Sequence, residues 1–332
     1  MTVIQKKKVF KKGTNNFMKS ALGLLLGFLA TASWGSFYIA GRWLFGEEDG
    51  GSINPYLANL LRFCLAAVTL SPLLFFSKNR ELVKRAFVKD WKKFLLIGLV
   101  GIVLESYFVF YALYFTTAAR CSLMANCSPI ATVILAFILL REKTSWKGLA
   151  GMLIGFAGII LAGTARGGDI YADTSWRSLI GDGMALVSGF CWAFFTVYGA
   201  KVSEEYGGPV SMFVSFIFGA LLMLPVICFT AKPADFAAIT PRIWGGFLYT
   251  GIVTLALANA CWYAALKYVK PGVLGSFGYL SAAITFTLSA IVLKEKFTPL
   301  FITSIVLVLG GMALMMANPA KEKNAVCKKI SG

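Results

Sequence analysis

Apolar residues run along this chain in blocks of about 20, the length a helix needs to cross a bilayer at 1.5 Å per residue. Ten such blocks lie near 19–41, 55–77, 94–115, 117–140, 146–164, 179–200, 210–230, 243–266, 272–293 and 299–317. Between them the chain turns polar or basic for short stretches. The longer connections are 42–54, 78–93 and 165–176, none of them long enough for a soluble domain. Any chemistry is therefore expected inside the membrane.

The blocks repeat. The stretch SPIATVILAFILLREK at 128–143, moved on by 153 positions, meets SAAITFTLSAIVLKEK at 281–296, with about seven matches in sixteen, closing Glu-Lys included. Self-similarity at so long a period, in so apolar a chain, indicates two copies of one membrane unit. Five blocks per copy is an odd number, so the second copy enters the membrane from the opposite side. The expected fold class is an all-α polytopic membrane protein, ten transmembrane helices arranged as two inverted five-helix repeats. The expected division is a basic segment 1–18, a first repeat 19–164, a linker 165–178, a second repeat 179–317 and a basic tail 318–332.

Charge sets the orientation. Lys and Arg number 32 against 15 Asp and Glu, a formal net charge of +17, but they fall in bursts between apolar blocks, which marks cytoplasmic loops and not a nucleic-acid partner. With the N-terminus inside, roughly 23 basic residues lie on the cytoplasmic side and about eight outside. Both termini are then cytoplasmic, in a multi-pass protein of the cell (cytoplasmic) membrane. The basic leader resembles the start of a signal peptide, but the apolar block behind it is too long for one and lacks a clear cleavage site. Composition agrees: 58% hydrophobic residues, 14% charged and a mean hydropathy of +0.74. Seven scattered cysteines read as packing residues, and with no histidine there is no imidazole metal site or proton relay.

Glu105 is the sharpest signal. It lies about 15 Å in from the outer end of its block, near the bilayer midplane, where a carboxylate is costly unless paired, hydrated or protonated. Arg62, about 12 Å deep in the second block by the same rise, matches that depth. Two readings stay open: Glu105 works on substrate or proton, or the two charges form a static pair. Asn126, Ser128, Tyr107, Trp34, Tyr38 and Trp192 are polar or aromatic groups at similar depth that can line a cavity, with Asn259 and Tyr279 as candidates in the second copy. Pro129 removes a helix hydrogen bond and frees the carbonyl of residue 125, a hinge or gating point. Gly148, Gly151, Gly155 and Gly158 share one helix face, read as internal packing against the fourth helix. Asp182 reads as a helix N-terminal residue near the outer surface.

At these residues the chain resembles the drug/metabolite transporter superfamily, in its EamA-like ten-helix branch. The resemblance rests on Ala32-Ser33-Trp34-Gly35, Arg62-Phe63, the entry Tyr114-Phe115-Thr116-Thr117-Ala118, Pro129, Glu142, and Trp146 with Gly148. In the second copy it rests on Trp192, the run from Trp262-Tyr263 to Lys267-Tyr268, and Glu295. It implies two inverted repeats around a central cavity, and alternating-access movement of small organic solutes. Glu105 is not part of that family pattern.

The expected function is a secondary transporter of small metabolites or drug-like solutes, such as amino acids or amines, working by alternating access, with proton coupling left open and with no cofactor, no metal and no enzymatic activity. Its partners are a small-molecule substrate and the lipid bilayer; monomer and homodimer both stay open. The rival within transport is a nucleotide-sugar or phosphorylated-metabolite carrier, which wants several cationic groups. The rival of another class is a membrane-embedded enzyme or sensor, which wants paired carboxylates or a nucleophile with a base.

Overall fold

The computed structural model describes residues 18–37, 54–116, 121, 124–165, 175–292 and 298–316. Every regular element among them is helical. In chain order these are α1 (Met18–Phe37), α2 (Pro55–Leu70), α3 (Ser77–Val88), α4 (Trp91–Leu96), α5 (Glu105–Phe115), α6 (Ser128–Leu140), α7 (Trp146–Ala165), α8 (Trp176–Tyr206), α9 (Gly208–Thr230), α10 (Pro233–Ala237), α11 (Pro241–Leu248), α12 (Ala258–Leu266), α13 (Pro271–Gly275), α14 (Phe277–Val292) and α15 (Pro299–Met316). Six helical stretches among the described residues are long and apolar enough to cross a membrane: Met18–Phe37, Tyr56–Phe75, Trp176–Tyr206, Gly208–Thr230, Pro241–Leu266 and Pro299–Met316. The chain is thus a helical, multi-pass membrane protein.

Local chemistry starts and stops these helices. The Asn54 side chain accepts from the amides of Tyr56 and Leu57 at 3.0 and 3.4 Å, with Pro55 supplying the preset φ of a first turn. Ser175 and Thr240 cap α8 and α11 the same way. Between α8 and α9 the chain reverses at Gly207, whose φ of 78° lies in the region that a side chain would strain.

Two long helices are assembled in pieces. A π segment, Ile97–Leu104, joins α4 to α5, and a second, Tyr249–Leu257, joins α11 to α12. Under the 153-residue offset, the last residues of the two segments coincide. The residues that follow, Glu105 and Ala258, coincide as well.

The helices touch in matching pairs. Gly101 in the first π segment has Phe195 of α8 against it, so close that a Cβ would lie 2.7 Å from the ring. In the second, the carbonyl of Thr254 accepts the Trp34 indole N–H of α1 at 2.9 Å. Gly189 of α8 lies against the carbonyl of Ala125, just before α6, while Gly35 of α1 lies against Ser281 and Ile284 of α14. The main core forms where α2, α8, α9 and α12 meet, around Phe63, Phe195, Phe216, Trp262 and Tyr263.

Three sequence expectations change here. The connection 78–93 contains a helix, α3, whose Leu82, Val83, Ala86 and Phe87 rest on the core while Lys78, Arg80 and Lys84 stay exposed. The glycine face of α7 meets α15, not the fourth block: a Cβ on Gly151 would lie 2.5 Å from the Gly311 carbonyl, and Gly155 carries the ring of Tyr279. Gly158 lies on Ser304 and Val308 of the same α15. Asp182 is the seventh residue of α8 and not an N-terminal one; it is buried and accepts a 3.0 Å hydrogen bond from the Thr116 hydroxyl.

The hydroxyl of Tyr263, fully buried, donates to the Phe195 carbonyl at 2.8 Å and ties α12 to α8. Tyr263→Phe is expected to cost about 1 kcal/mol, the net worth of one such bond in a helical membrane protein. A melting curve in detergent indistinguishable from the parent's would contradict that role.

Candidate functional site

Glu105 opens α5 directly behind the first π segment, where each turn is wider than in an α-helix and one extra residue is accommodated. That slip decides which way the next turn faces. Glu105 is half-buried, and the Ser106 hydroxyl donates to its carboxylate at 3.4 Å. Cys121 and Cys191 lie within reach of its charge. Glu105 therefore lies on the side of α8 that carries Cys191.

Arg62 is buried in α2. One guanidinium nitrogen donates to Asn59 Oδ1 at 3.1 Å, and the group lies 4.7 Å from the centroid of the Phe37 ring. It senses the charge of Glu105, yet the ion pairs within 4.0 Å among the described residues are all elsewhere, around Asp90 and Glu205. Of the two readings the sequence leaves open, a static Arg62–Glu105 contact pair is therefore not formed. Arg62 Nε and the Asn59 side-chain amide nitrogen are both buried without an acceptor. Buried donors left in that state are costly, and Asn59 was not among the residues singled out from sequence.

The tryptophans do converge. Trp34 of α1 meets Trp192 of α8 edge-on, ring centroids 4.9 Å apart, and Trp262 of α12 at 5.0 Å; Trp192 and Trp262 are 6.1 Å apart. Trp34 and Trp192 are half-buried, whereas Trp262 is fully enclosed. The turn holding Asn126 ends at Ser128, where α6 begins, and it rests on Gly189, three residues before Trp192. Trp34, Trp192 and Trp262 thus form one cluster, and the turn before α6 reaches α8 at Gly189, three residues from Trp192.

Other candidates are placed differently. Tyr107 is two residues past Glu105, about 200° round the helix, and stacks on Tyr111 at 4.4 Å, which in turn lies 6.5 Å from Tyr56. Asn259 is buried and donates to the Leu255 carbonyl at 2.8 Å, serving the second π segment. Tyr279 is fully enclosed in a separate cluster with Met152, Ile159 and Val308, its hydroxyl without a partner. Pro129 is in the first turn of α6, so it starts a helix after a break at Asn126–Cys127 and does not kink a continuous one. Tyr38 lies outside the described residues. No group of three or more Cys, Asp or Glu able to hold a metal occurs among the described residues.

The sequence model of the EamA-like transporter family matches this chain twice, at residues 21–164 and 179–317. The uncharacterized transporter YetK of Bacillus subtilis is 29% identical over 329 residues, covering 95% of this chain and 96% of its own length. An uncharacterized transporter of Archaeoglobus fulgidus is 26% identical, covering 84% of this chain and 93% of its own. The WAT1-related protein At3g53210 of Arabidopsis thaliana is 25% identical, covering 81% and 79%. One crystal structure superposes with a TM-score of 0.73 at 19% identity, over 93% of this chain and 99% of that one, a likeness of fold.

Proposed function

Since the chain belongs to the EamA-like transporter family, we propose that it moves small organic solutes bearing an amine across the cytoplasmic membrane by alternating access. The chain forms ten spans in two inverted repeats, 19–164 and 179–317, with the basic segments 1–18 and 318–332 in the cytoplasm. Support for the repeats comes from the matched π segments and from the paired contacts of α1 and α8.

One observation carries the site. Glu105 is a half-buried carboxylate directly after a backbone irregularity, with no cation within 4.0 Å among the described residues. A carboxylate so placed attracts a cation or a proton, and the half-buried indoles of Trp34 and Trp192 in the same bundle suit an ammonium group. Arg62 and Asn59, with donors to spare, suit a carboxylate at the other end of a dipolar solute. Arg62 is the one buried cation among the described residues, too few for a phosphorylated cargo. Membership of the family supports transport.

A thermal-shift screen of purified protein tests the reading, because a ligand at 100 times its Kd stabilises the folded state by about 2.7 kcal/mol. Amines and amino acids are expected to raise the melting temperature. Stabilisation by sugar nucleotides alone would replace this reading with the phosphorylated-metabolite carrier.

A further inference from the structure

Away from the central site, the ion pairs recorded among the described residues form one closed ring. Arg85 at the end of α3 pairs with Glu205 at the end of α8, and its Nε lies 3.6 Å from Asp90. Lys93 in α4 lies 2.9 Å from Asp90 and 3.1 Å from Glu205. Cations and anions alternate around the ring, so each charge has two opposite neighbours. The Tyr206 hydroxyl donates to Asp90 at 2.5 Å, its ring meets Phe94 edge-on at 5.1 Å, and the Arg85 guanidinium lies 5.5 Å from its centroid. Phe94 and Tyr206 are buried directly beneath the exposed charges.

The ring joins the α3–α4 turn, from the first family segment, to the last turn of α8, from the second. It lies roughly 18 Å from Glu105 along the helix, at 1.5 Å per residue. At the 153-residue offset its positions fall on Ala238, Ile243, Gly246 and Ser52, which cannot reproduce it. The opposite end is tied by other means: the Asn54 side chain donates to the Thr230 carbonyl at 2.9 Å, the Thr116 hydroxyl donates to Asp182 at 3.0 Å, and the Arg177 guanidinium lies 5.8 Å from the Phe115 ring centroid.

We infer that the Arg85–Asp90–Lys93–Glu205 ring, with Tyr206 and Phe94 under it, is a one-sided latch that holds the α8 end of the transporter shut and must open in each cycle. The latch is independent of which solute is carried. Partly exposed ion pairs are weak singly and stronger as a network, which suits a contact made and broken repeatedly.

Asp90 and Lys93 stay charged across the physiological range. The Tyr206 hydrogen bond, then Lys93, holds the Asp90 carboxyl below the usual carboxylate range, while Asp90, then Glu205, holds the Lys93 ammonium above the usual lysine value. Asp90's contribution is complete above about pH 4 and lost as pH falls through its lowered value; that of Lys93 is complete below about pH 10 and lost as pH rises through its raised one. Arg85, Glu205 and the Tyr206 hydroxyl complete the charged and titratable groups around them.

Hydrogen exchange of the full-length protein in nanodiscs, followed by mass spectrometry, tests the latch with Glu205→Gln and, as a second variant, Lys93→Met. Amides of 85–96 and 203–210 are expected to exchange about three- to fivefold faster in either variant, with 54–60 and 226–231 unchanged. The gap between parent and variant is expected to close in 1 M salt, where the screening length falls to about 3 Å. Equal acceleration at both ends would show general destabilisation and overturn the latch, as would unchanged exchange at 85–96. Because the readout is exchange and not flux, it stands or falls apart from the cargo reading.

Discussion

Gly311→Leu is expected to be among the most damaging single substitutions in the chain. Gly311 of α15 and Gly151 of α7 meet backbone to backbone: a Cβ on Gly311 would lie 2.5 Å from both the Gly151 carbonyl oxygen and the Gly155 amide nitrogen. No rotamer change relieves a clash with backbone, so the helices must part along their length. In a bilayer, where lipid tails are as apolar as the helices, close packing of this kind is what holds two helices together. Overpacking of a tight site costs about 1–3 kcal/mol and occasionally more, and leucine here belongs at the upper end. Gly310, next along the helix, has nothing within 4 Å of its missing Cβ. Gly310→Ala is therefore the matched control, neutral or slightly stabilising. Equal melting temperatures for the Gly311 and Gly310 variants would remove the α7–α15 contact from the account of stability.

Glu105→Gln is expected to reduce solute flux in proteoliposomes about 10- to 100-fold at sub-saturating solute, since a hydrogen bond to a charged group is worth about 1.5–3 kcal/mol. Glutamine keeps the shape and the acceptor oxygen but neither the charge nor the exchangeable proton. Any pH dependence of flux that comes from this carboxyl should vanish with it. Glu204→Gln, at an exposed position on α8, should leave flux unchanged. Undiminished and still pH-dependent flux from the Glu105 variant would take the residue out of the mechanism.

Much of this architecture is legible in the sequence because the bilayer makes simple demands. Apolar runs such as 210–230 and 299–317 announce their helices by length alone, and Glu105 stands out because a charge inside such a run is costly. The π segments were not legible: a shift of hydrogen bonds from i+4 to i+5 needs no special residue, and Ile97–Leu104 reads like any other apolar stretch. Helix α3 is too short and too polar to stand out among the apolar runs, although Leu82, Val83, Ala86 and Phe87 do share a face. Pro129 illustrates an ambiguity of position, since proline kinks a helix from inside and starts one at its first turn. The glycine face of α7 announced close packing but not its partner, which lies some 150 residues away. The convergence of Trp34, Trp192 and Trp262 was hidden for the same reason, and Asn59 was hidden because an asparagine among leucines looks like local filler.

The π segments also bear on how such a chain can change over evolutionary time. A segment that already holds one residue more than a regular helix would can lose one without breaking the span, and the turns on either side then keep their faces. A single codon deletion between Ile97 and Leu104 would thus change which side chains of that segment meet α8, where Gly101 now packs on Phe195, while the ends of the helix stay anchored. Carrying the same slack at Tyr249–Leu257, the second half has the same freedom, with Ala258 where the first half has Glu105. Changes of specificity in this architecture can therefore arise from length as well as from substitution, and aligning relatives without gaps inside the spans would miss them.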